Sequence, residues 1–186
     1  MIEISIYFIY HLKIKTKDAL KMLDRDPSSV EDFVEHLSIL SRINNEMSNL
    51  DKEFNTVTKL FNIGHEFTLS INPEQYAFFK SLGTTFHHLK SSLLYTEAQC
   101  EENIRKFSTD LNSLIMKTHK EAIELKERLQ AAVLLSADTT PQIASENLML
   151  FQEMIEKLME KSKNYSSYQE RFGTTLKQVK KKTTAV

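Results

Sequence analysis

The sequence predicts an all-α fold, an elongated antiparallel helical bundle built from long, coiled-coil-like helices. Three observations predict it. Glycine and proline are scarce, with 3 of each in 186 residues, so the chain can make few tight turns. Large apolar residues recur at steps of three and four over two long stretches, the spacing of an amphipathic helix. Hydrophobic residues make up 41% and charged residues 26%, so enough apolar surface exists to form a core.

The first segment, residues 1–25, is predicted to be an N-terminal helix that is truncated or atypical. We expect this helix to run from about Ile9 to Leu23, with Ile14 and Leu20 among its apolar positions. It should end before Asp26-Pro27, because the residue before a proline is disfavoured in the α region.

A capping box predicts where the second helix begins. The Ser28 hydroxyl can accept from the amide of Glu31, whose carboxylate can reach back to the Ser28 amide. The helix should continue to about Ile63 and stop at Gly64. One apolar stripe follows its whole length: Val30, Phe33, Leu37, Leu40, Ile43, Met47, Leu50, Phe54, Val57 and Phe61.

A connector from His65 to Ile71 should precede a helix that restarts at Asn72-Pro73, with asparagine as the cap and proline in the first turn. Gly83 is expected to interrupt this helix or to bend it. The longest predicted helix follows, from about Thr85 to Ala132. Its stripe consists of Phe86, Leu89, Leu93, Cys100, Ile104, Phe107, Leu111, Leu114, Leu125, Leu129 and Ala132.

The last helix is predicted after a linker from Leu134 to Thr140, with Thr140 as its cap and Pro141 as its first residue. We expect it to reach about Phe172 and to end at Gly173. Its stripe consists of Ala144, Leu148, Phe151, Ile155, Leu158, Tyr165, Tyr168 and Phe172.

Residues 174–186 are expected to form a basic, flexible tail, because four lysines follow the last acidic residue, Glu170. A solvated terminus and a basic docking segment are both open interpretations of Lys177, Lys180, Lys181 and Lys182.

Residues 26–173 are predicted to form one helical bundle, because a long helix is stable only when its apolar stripe is buried. Six residues are the predicted core: Phe33, Leu37, Phe54, Phe107, Leu111 and Leu158.

Composition excludes several functional classes. The formal net charge is −1, whereas nucleic-acid binders normally present a basic face, so no nucleic-acid partner is expected. No apolar run reaches the ~18 residues that a membrane-spanning helix needs, so no membrane partner is expected. The three glycines lie at positions 64, 83 and 173, a spacing that allows neither a GxxxxGK[ST] phosphate loop nor a GxSxG nucleophile elbow.

No catalytic, cofactor-binding or metal-binding residue is predicted. Asp32 and His36 lie four residues apart and could share a helix face, but two ligands without a third do not make a metal site. Cys100 lies on an apolar stripe, where a buried, unreactive thiol is expected, and the neighbouring Glu101 and Glu102 should raise its pKa. No cofactor is therefore expected.

Two further pairs of side chains have ordinary structural explanations. His87 and His88 are adjacent, so they point in different directions and are expected to be solvated on the surface. Tyr165 and Tyr168 could be a recognition pair, but at helical spacing they are expected to belong to the core with their hydroxyls reaching water.

Particular strings carry a family resemblance: DPSSVEDFVEHLSIL from Asp26, EENIRKFSTDLNSLI from Glu101 and NYSSYQERFG from Asn164. They occur in the order of a capped long helix, a proline-started helix, a very long charged helix and a tyrosine-rich end. Over residues 24–173 the chain resembles the tail of dynein heavy chains of the axonemal branch, in the stretch just before the linker.

The resemblance implies a function. Dynein heavy chains are ATP-driven, minus-end-directed microtubule motors whose ATPase ring and microtubule-binding stalk lie C-terminal to this region. The resemblance implies a non-catalytic structural segment of the tail, which supports assembly and transmits force. Its implied partners are intermediate chains, light-intermediate chains and other heavy chains, and its implied location is the cytoplasm and cytoskeleton, at the ciliary axoneme. The chain is then expected to be a fragment or a shortened product of a larger chain. The alternative is an independent coiled-coil scaffold or adaptor.

Overall fold

The structure, a computed structural model, describes residues 2–67, 71, 73–130 and 140–184. The described residues form four α-helices and no strand: α1 (Ile2–Leu23), α2 (Val30–Glu66), α3 (Pro73–Gln130) and α4 (Pro141–Thr184). The all-α helical class is thereby confirmed. The chain divides into two compact units, Met1–Glu101 and Glu102–Val186, so that α3 contributes residues to both. The predicted single bundle over residues 26–173 stays a prediction.

Helix α1 starts at Ile2, well before the predicted Ile9, and ends at Leu23 as expected. Its buried positions are Ile9, Leu12, Thr16 and Leu23, whereas Ile14, which the sequence assigned to the stripe, is exposed. Thr16 is tolerated in the interior because its hydroxyl donates to the Leu12 carbonyl at 2.7 Å. The apolar face is therefore displaced from the predicted one, because a threonine with its own backbone partner can occupy a core position.

The cap of α2 is one residue later than predicted. Ser29, in an extended conformation, accepts from the Asp32 amide at 3.1 Å. Asp32 takes the return role, since its carboxylate accepts from the Ser28 amide at 3.3 Å and from the Ser28 hydroxyl at 2.5 Å. The predicted Ser28–Glu31 capping box is therefore wrong by one residue. The cap uses Ser29 and Asp32, which have the same spacing of three residues that such a box requires.

Gly64 does not end α2, which continues to Glu66 with Phe67 as its C-terminal cap at a φ of −88°. The glycine is buried inside the helix, where a Cβ atom would lie 3.2 Å from the Ile71 Cδ1 atom. The glycine therefore allows close packing against Ile71, and its backbone has an ordinary helical φ angle. The predicted connector is correspondingly shorter, and its residues 68–70 lie outside the described part of the chain, as does Asn72.

Helix α3 begins at Pro73 as predicted, but it is one helix of 58 residues where the sequence indicated an interruption or a bend at Gly83. Gly83 faces α2, where a Cβ atom would make ordinary contact at 3.9 Å with the Phe54 ring. The next two residues also fit a helix, since the hydroxyls of Thr84 and Thr85 donate to the carbonyls four residues earlier. Nothing at this position therefore stops the helix.

The first unit is organised around the antiparallel pairing of α2 with the start of α3. Two aromatic stacks lie seven residues apart on each helix: Phe54 on Phe86, with centroids 4.4 Å apart, and Phe61 on Phe79, with centroids 4.3 Å apart. Two polar contacts continue the same register, Asp51 with Lys90 at 2.5 Å and Asn44 with Glu97 at 2.7 Å. Residues later in α2 thus contact residues correspondingly earlier in α3, as the register of an antiparallel helix pair requires.

Helix α1 packs on this pair and completes a three-helix bundle. Toward α2, Lys15 bonds Glu53 at 3.4 Å. Toward α3, the Lys13 ammonium lies 3.8 Å from the centre of the Phe78 ring, a cation–π contact, and Ser92 donates to the Asp24 carboxylate at 2.9 Å. The up-down-up order gives every helix of this unit two neighbours.

The second unit is a hairpin of the end of α3 and α4. The linker 131–139 lies outside the described residues; Thr140 and Pro141 start α4 as predicted, and the Thr140 carbonyl accepts from the Ala144 amide at 3.1 Å. Lys161 of α4 bonds Glu121 of α3 at 2.9 Å, and the Arg128 guanidinium lies 5.8 Å from the centre of the Phe151 ring.

Gly173 does not end α4, which continues to Thr184. A Cβ atom at Gly173 would meet no atom within 4 Å, so neither packing nor backbone conformation requires a glycine there. Residues 174–184 are helical where the sequence predicted a flexible tail, because Gly173 in an ordinary helical conformation does not force a stop.

Four of the six predicted core residues are buried: Phe33, Leu37, Phe107 and Leu111. Phe54 and Leu158 are only half-buried. The two exceptions have different surroundings: Phe54 stacks on Phe86 at the edge of a helix pair, and Leu158 lies in a hairpin of only two helices.

Replacing Gly173 with alanine should stabilise the chain. In the interior of an exposed helix, glycine costs ~0.5–1 kcal/mol relative to alanine, so Gly173→Ala should raise the unfolding free energy by about that amount. Urea denaturation followed by circular dichroism measures the change. Destabilisation would mean that Gly173 adopts the left-handed conformation of a helix stop, where alanine is strained.

Truncation of Leu111, which is 1% exposed, should create a cavity. Leu111→Ala should lower the unfolding free energy by ~2–5 kcal/mol, measured by denaturant titration. The matched control is Leu150→Ala in the same unit, at a position 57% exposed, with an expected change within ~0.5 kcal/mol. Equal losses at both positions would contradict the burial of the α3 seam.

Candidate interaction surface

Asp32 and His36, the pair that could share a helix face, serve different structural roles. Asp32 completes the cap of α2, and hydrogen bonds from the Ser28 hydroxyl and amide lower its carboxyl pKa. His36 is buried at 8% exposure, and this burial lowers its pKa even though the nearby Asp26 charge acts in the opposite direction. Among the described residues, no group of three or more histidine, cysteine, aspartate or glutamate side chains could hold a metal.

Cys100 is buried on α3 at 2% exposure, as its position on the stripe predicted. Burial, and next the charge of Glu97, raise the pKa of its thiol to about 11. The sequence had assigned the charge effect to Glu101 and Glu102; the carboxylate that acts belongs to Glu97, on the preceding turn. Such a thiol is almost entirely protonated near neutral pH and is a poor nucleophile.

The histidine pair lies on the surface, as the sequence predicted, whereas the tyrosine pair is less buried than the predicted core position. His87 and His88 are exposed on α3. Tyr165 and Tyr168 are half-buried on α4 with their ring centres 6.3 Å apart. Lys177, the first lysine of the basic end, is exposed on the last turns of α4.

A groove runs between α3 and α4 in the second unit. Its volume is about 550 Å³. Side chains from both helices form it, among them Ala122, Leu125 and Leu129 of α3 with Ile155, Leu158 and Met159 of α4. The groove has a mainly apolar lining and is open to solvent between residues 115–129 of α3 and 155–169 of α4. A third helix is the element that occupies such a position in a bundle, as α1 does on the first unit.

Exposed apolar side chains cluster on the first half of α4. On the side of the groove these are Leu148, Ile155 and Met159, and on the other side of the seam they are Ile143, Leu150 and Met154. Leu148 and Ile155 were assigned to the buried stripe, and this assignment is wrong because a single partner helix covers only a narrow seam. The sequence signal for this surface is the run Leu148, Met149, Leu150, Phe151, which is apolar around the whole helix.

No helix of the described residues is long and apolar enough to cross a bilayer. The arrangement supports an interaction surface on the second unit, formed by the apolar groove and the exposed apolar residues of α4.

Comparison with known proteins gives two human relatives. No protein-family model matches the chain. The chain is 31% identical over 160 residues to human dynein axonemal heavy chain 14, which covers 86% of the chain and 5% of that protein. It is 22% identical over 158 residues to human dynein axonemal heavy chain 6, which covers 85% of the chain and 4% of that protein. The chain thus spans about one-twentieth of the length of these curated relatives.

The buried thiol predicts slow alkylation. At pH 8 a thiol of pKa about 11 is ~0.1% thiolate, so iodoacetamide should modify native Cys100 slowly, faster as pH rises, and rapidly after denaturation. Mass spectrometry measures the rates. The matched control is Ala98→Cys at an exposed position of the same helix, in a Cys100→Ser background, which should react rapidly in the native state. Equal native rates would contradict a buried Cys100.

Proposed function

Because the chain is homologous to a short segment of axonemal dynein heavy chains, we propose that it is a non-catalytic structural segment of a dynein heavy-chain tail. Its role is to support assembly of the motor and to transmit force through packed helices. The observation that carries this proposal is the 31% identity, which extends over 86% of the chain.

The helix packing supports a mechanical role. In the first unit, α2 and α3 keep one register from Asn44–Glu97 to Phe61–Phe79, and α1 covers the pair. Such a bundle resists bending because bending would require side chains in several contact layers to lose their neighbours at once. In the second unit, the seam residues Phe107, Leu111 and Leu125 are buried as well.

The sequence supports a non-catalytic role for this segment. Positions 64, 83 and 173 hold all 3 glycines, which leaves no phosphate-binding loop of the GxxxxGK[ST] type. Asp32 is engaged in the cap of α2, His36 is buried, and burial raises the pKa of the Cys100 thiol to about 11, which makes it a poor nucleophile. In this proposal ATP hydrolysis belongs to other parts of the motor.

The partners and the location follow from the same homology. We propose that the segment assembles with other dynein subunits, namely intermediate or light-intermediate chains and other heavy chains, in the cytoskeleton of the ciliary axoneme. The open groove and the exposed residues of α4 offer the second unit as a contact surface for such assembly.

An independent coiled-coil scaffold is the second candidate function. The observation that favours it is the same exposed surface of α4, since a scaffold protein also needs an apolar face for its partners. The two functions predict different behaviour on fractionation: a tail segment co-purifies with dynein arms, whereas an independent scaffold does not.

Fractionation of axonemes tests the proposal. Dynein arms are extracted with salt from cilia that carry the chain with a tag at its own locus, and the extract is separated on a sucrose gradient. We expect tagged peptides to co-sediment with dynein intermediate chains, and Leu111→Asp, which puts a charge into the buried seam, should abolish this co-sedimentation. The matched control is Thr109→Asp at an exposed position of the same helix, which should retain it.

Two results would contradict the proposed function. Sedimentation of the chain apart from every dynein subunit would favour the scaffold over the tail segment. Specific binding of ATP to the purified chain in a calorimeter would contradict the non-catalytic assignment.

A further inference from the structure

The groove of the second unit has a symmetry that points to its occupant. Ile115, Ala122 and Leu129 line it from α3 at intervals of seven residues, so they form one row along that helix. If a second copy of α3 lies antiparallel across the groove, Ile115 of one copy meets Leu129 of the other, and the two Ala122 residues meet at the centre. Alanine at the centre lets two helix backbones approach closely, and the larger residues fill both ends.

Helix α4 also has a residue, Met159, about which an antiparallel pair of α4 helices would be symmetric, as Ala122 is on α3. Met159 lies on the groove side and is 67% exposed. In an antiparallel pair of α4 helices centred on Met159, the two methionines meet, and Gln152 of one copy lies near Ser166 of the other. On the outer edge of the same contact, Glu156 of each copy approaches Lys163 of the other. Both charged residues are exposed, and the resulting pairs are opposite in sign at both ends of the contact.

The two centres lie at one level of the hairpin. Glu121 contacts Lys161, and Arg128 lies over Phe151. Because antiparallel helices rise equally per residue, one step from the first contact places Ala122 level with residue 160, and six steps from the second place it level with residue 157. Met159 falls between these two positions. A single two-fold axis can therefore pass through Ala122 and Met159 at once, although each centre was identified on its helix separately.

We propose that the groove is a self-association surface, and that two copies of this chain join their α3–α4 hairpins into an antiparallel four-helix bundle about this two-fold axis. A two-fold interface uses the same patch on both partners and needs that patch to be self-complementary. The charge pattern favours a copy of this chain over a helix of arbitrary sequence, since the Glu156–Lys163 pairs form only when the same helix returns in the opposite direction.

Sedimentation equilibrium of the purified 186-residue chain tests the proposal. The expected result is a reversible dimer. Met159→Glu puts two like charges at the axis and should weaken the dimer about tenfold or more. The matched control is Leu150→Glu, because Leu150 is 57% exposed and lies two and a half helical turns before Met159, on the opposite side of the same helix, and this variant should leave the dimer unchanged. Both substitutions replace exposed residues, so circular dichroism should show each variant folded.

Charge exchange tests the direction of pairing. Glu156→Lys alone and Lys163→Glu alone should each weaken the dimer, because each places like charges together at both ends of the contact. The double variant E156K/K163E restores opposite charges and should recover the dimer. A second arm oxidises chains carrying Met159→Cys, which should form a disulfide-linked dimer, whereas chains carrying Leu150→Cys should not.

Three results would overturn the proposal. The first is a monomer at every concentration, which would leave the groove to a helix of another protein or of a longer chain. The second is a dimer weakened by Leu150→Glu and not by Met159→Glu. The third is a dimer that the E156K/K163E exchange fails to recover. None of these results bears on the co-sedimentation with dynein subunits, so the two proposals can fail separately.

Discussion

The antiparallel contact between α2 and the first part of α3 is the interaction on which the first unit depends. Its centre is a pair of aromatic stacks, Phe54 on Phe86 and Phe61 on Phe79, each worth ~0.5–1.5 kcal/mol beyond the area that the rings bury. Because both stacks and the flanking polar contacts share one register, the helices cannot slide past each other without losing every layer together. That register also determines the face of the pair on which α1 packs.

The second unit obeys the same packing rule with fewer helices. A hairpin buries one seam, and Phe107, Leu111, Leu125 and Phe172 lie there. The apolar residues flanking this seam on α4 are left in contact with solvent. Exposed apolar side chains that cluster on one helix are characteristic of a contact surface, in line with the assembly role proposed for this hairpin. In the first unit every helix has two neighbours, and this packing suits the unit to a mechanical role.

Sequence reasoning succeeded where one physical signal decided the outcome. Proline at the start of α3 and of α4 defined the first turn correctly, because a fixed φ and a missing amide are harmless there. It failed at the glycines. Gly64, Gly83 and Gly173 all lie inside helices, since a glycine permits a stop without requiring one. It also missed Thr16 in the core of α1, because the bond from its hydroxyl to Leu12 becomes visible only once the helix exists.

By itself, the amino-acid sequence determined that the chain is helical, most of the buried residues of α2 and α3, and which family the chain resembles. These properties depend on local spacing and on the identity of residues along the chain. The tertiary structure decided where the helices end, which serine caps α2, and which apolar residues stay exposed on α4. These properties depend on neighbours distant in sequence: a glycine continues a helix when the surrounding packing permits, and a leucine is buried only if another helix covers it.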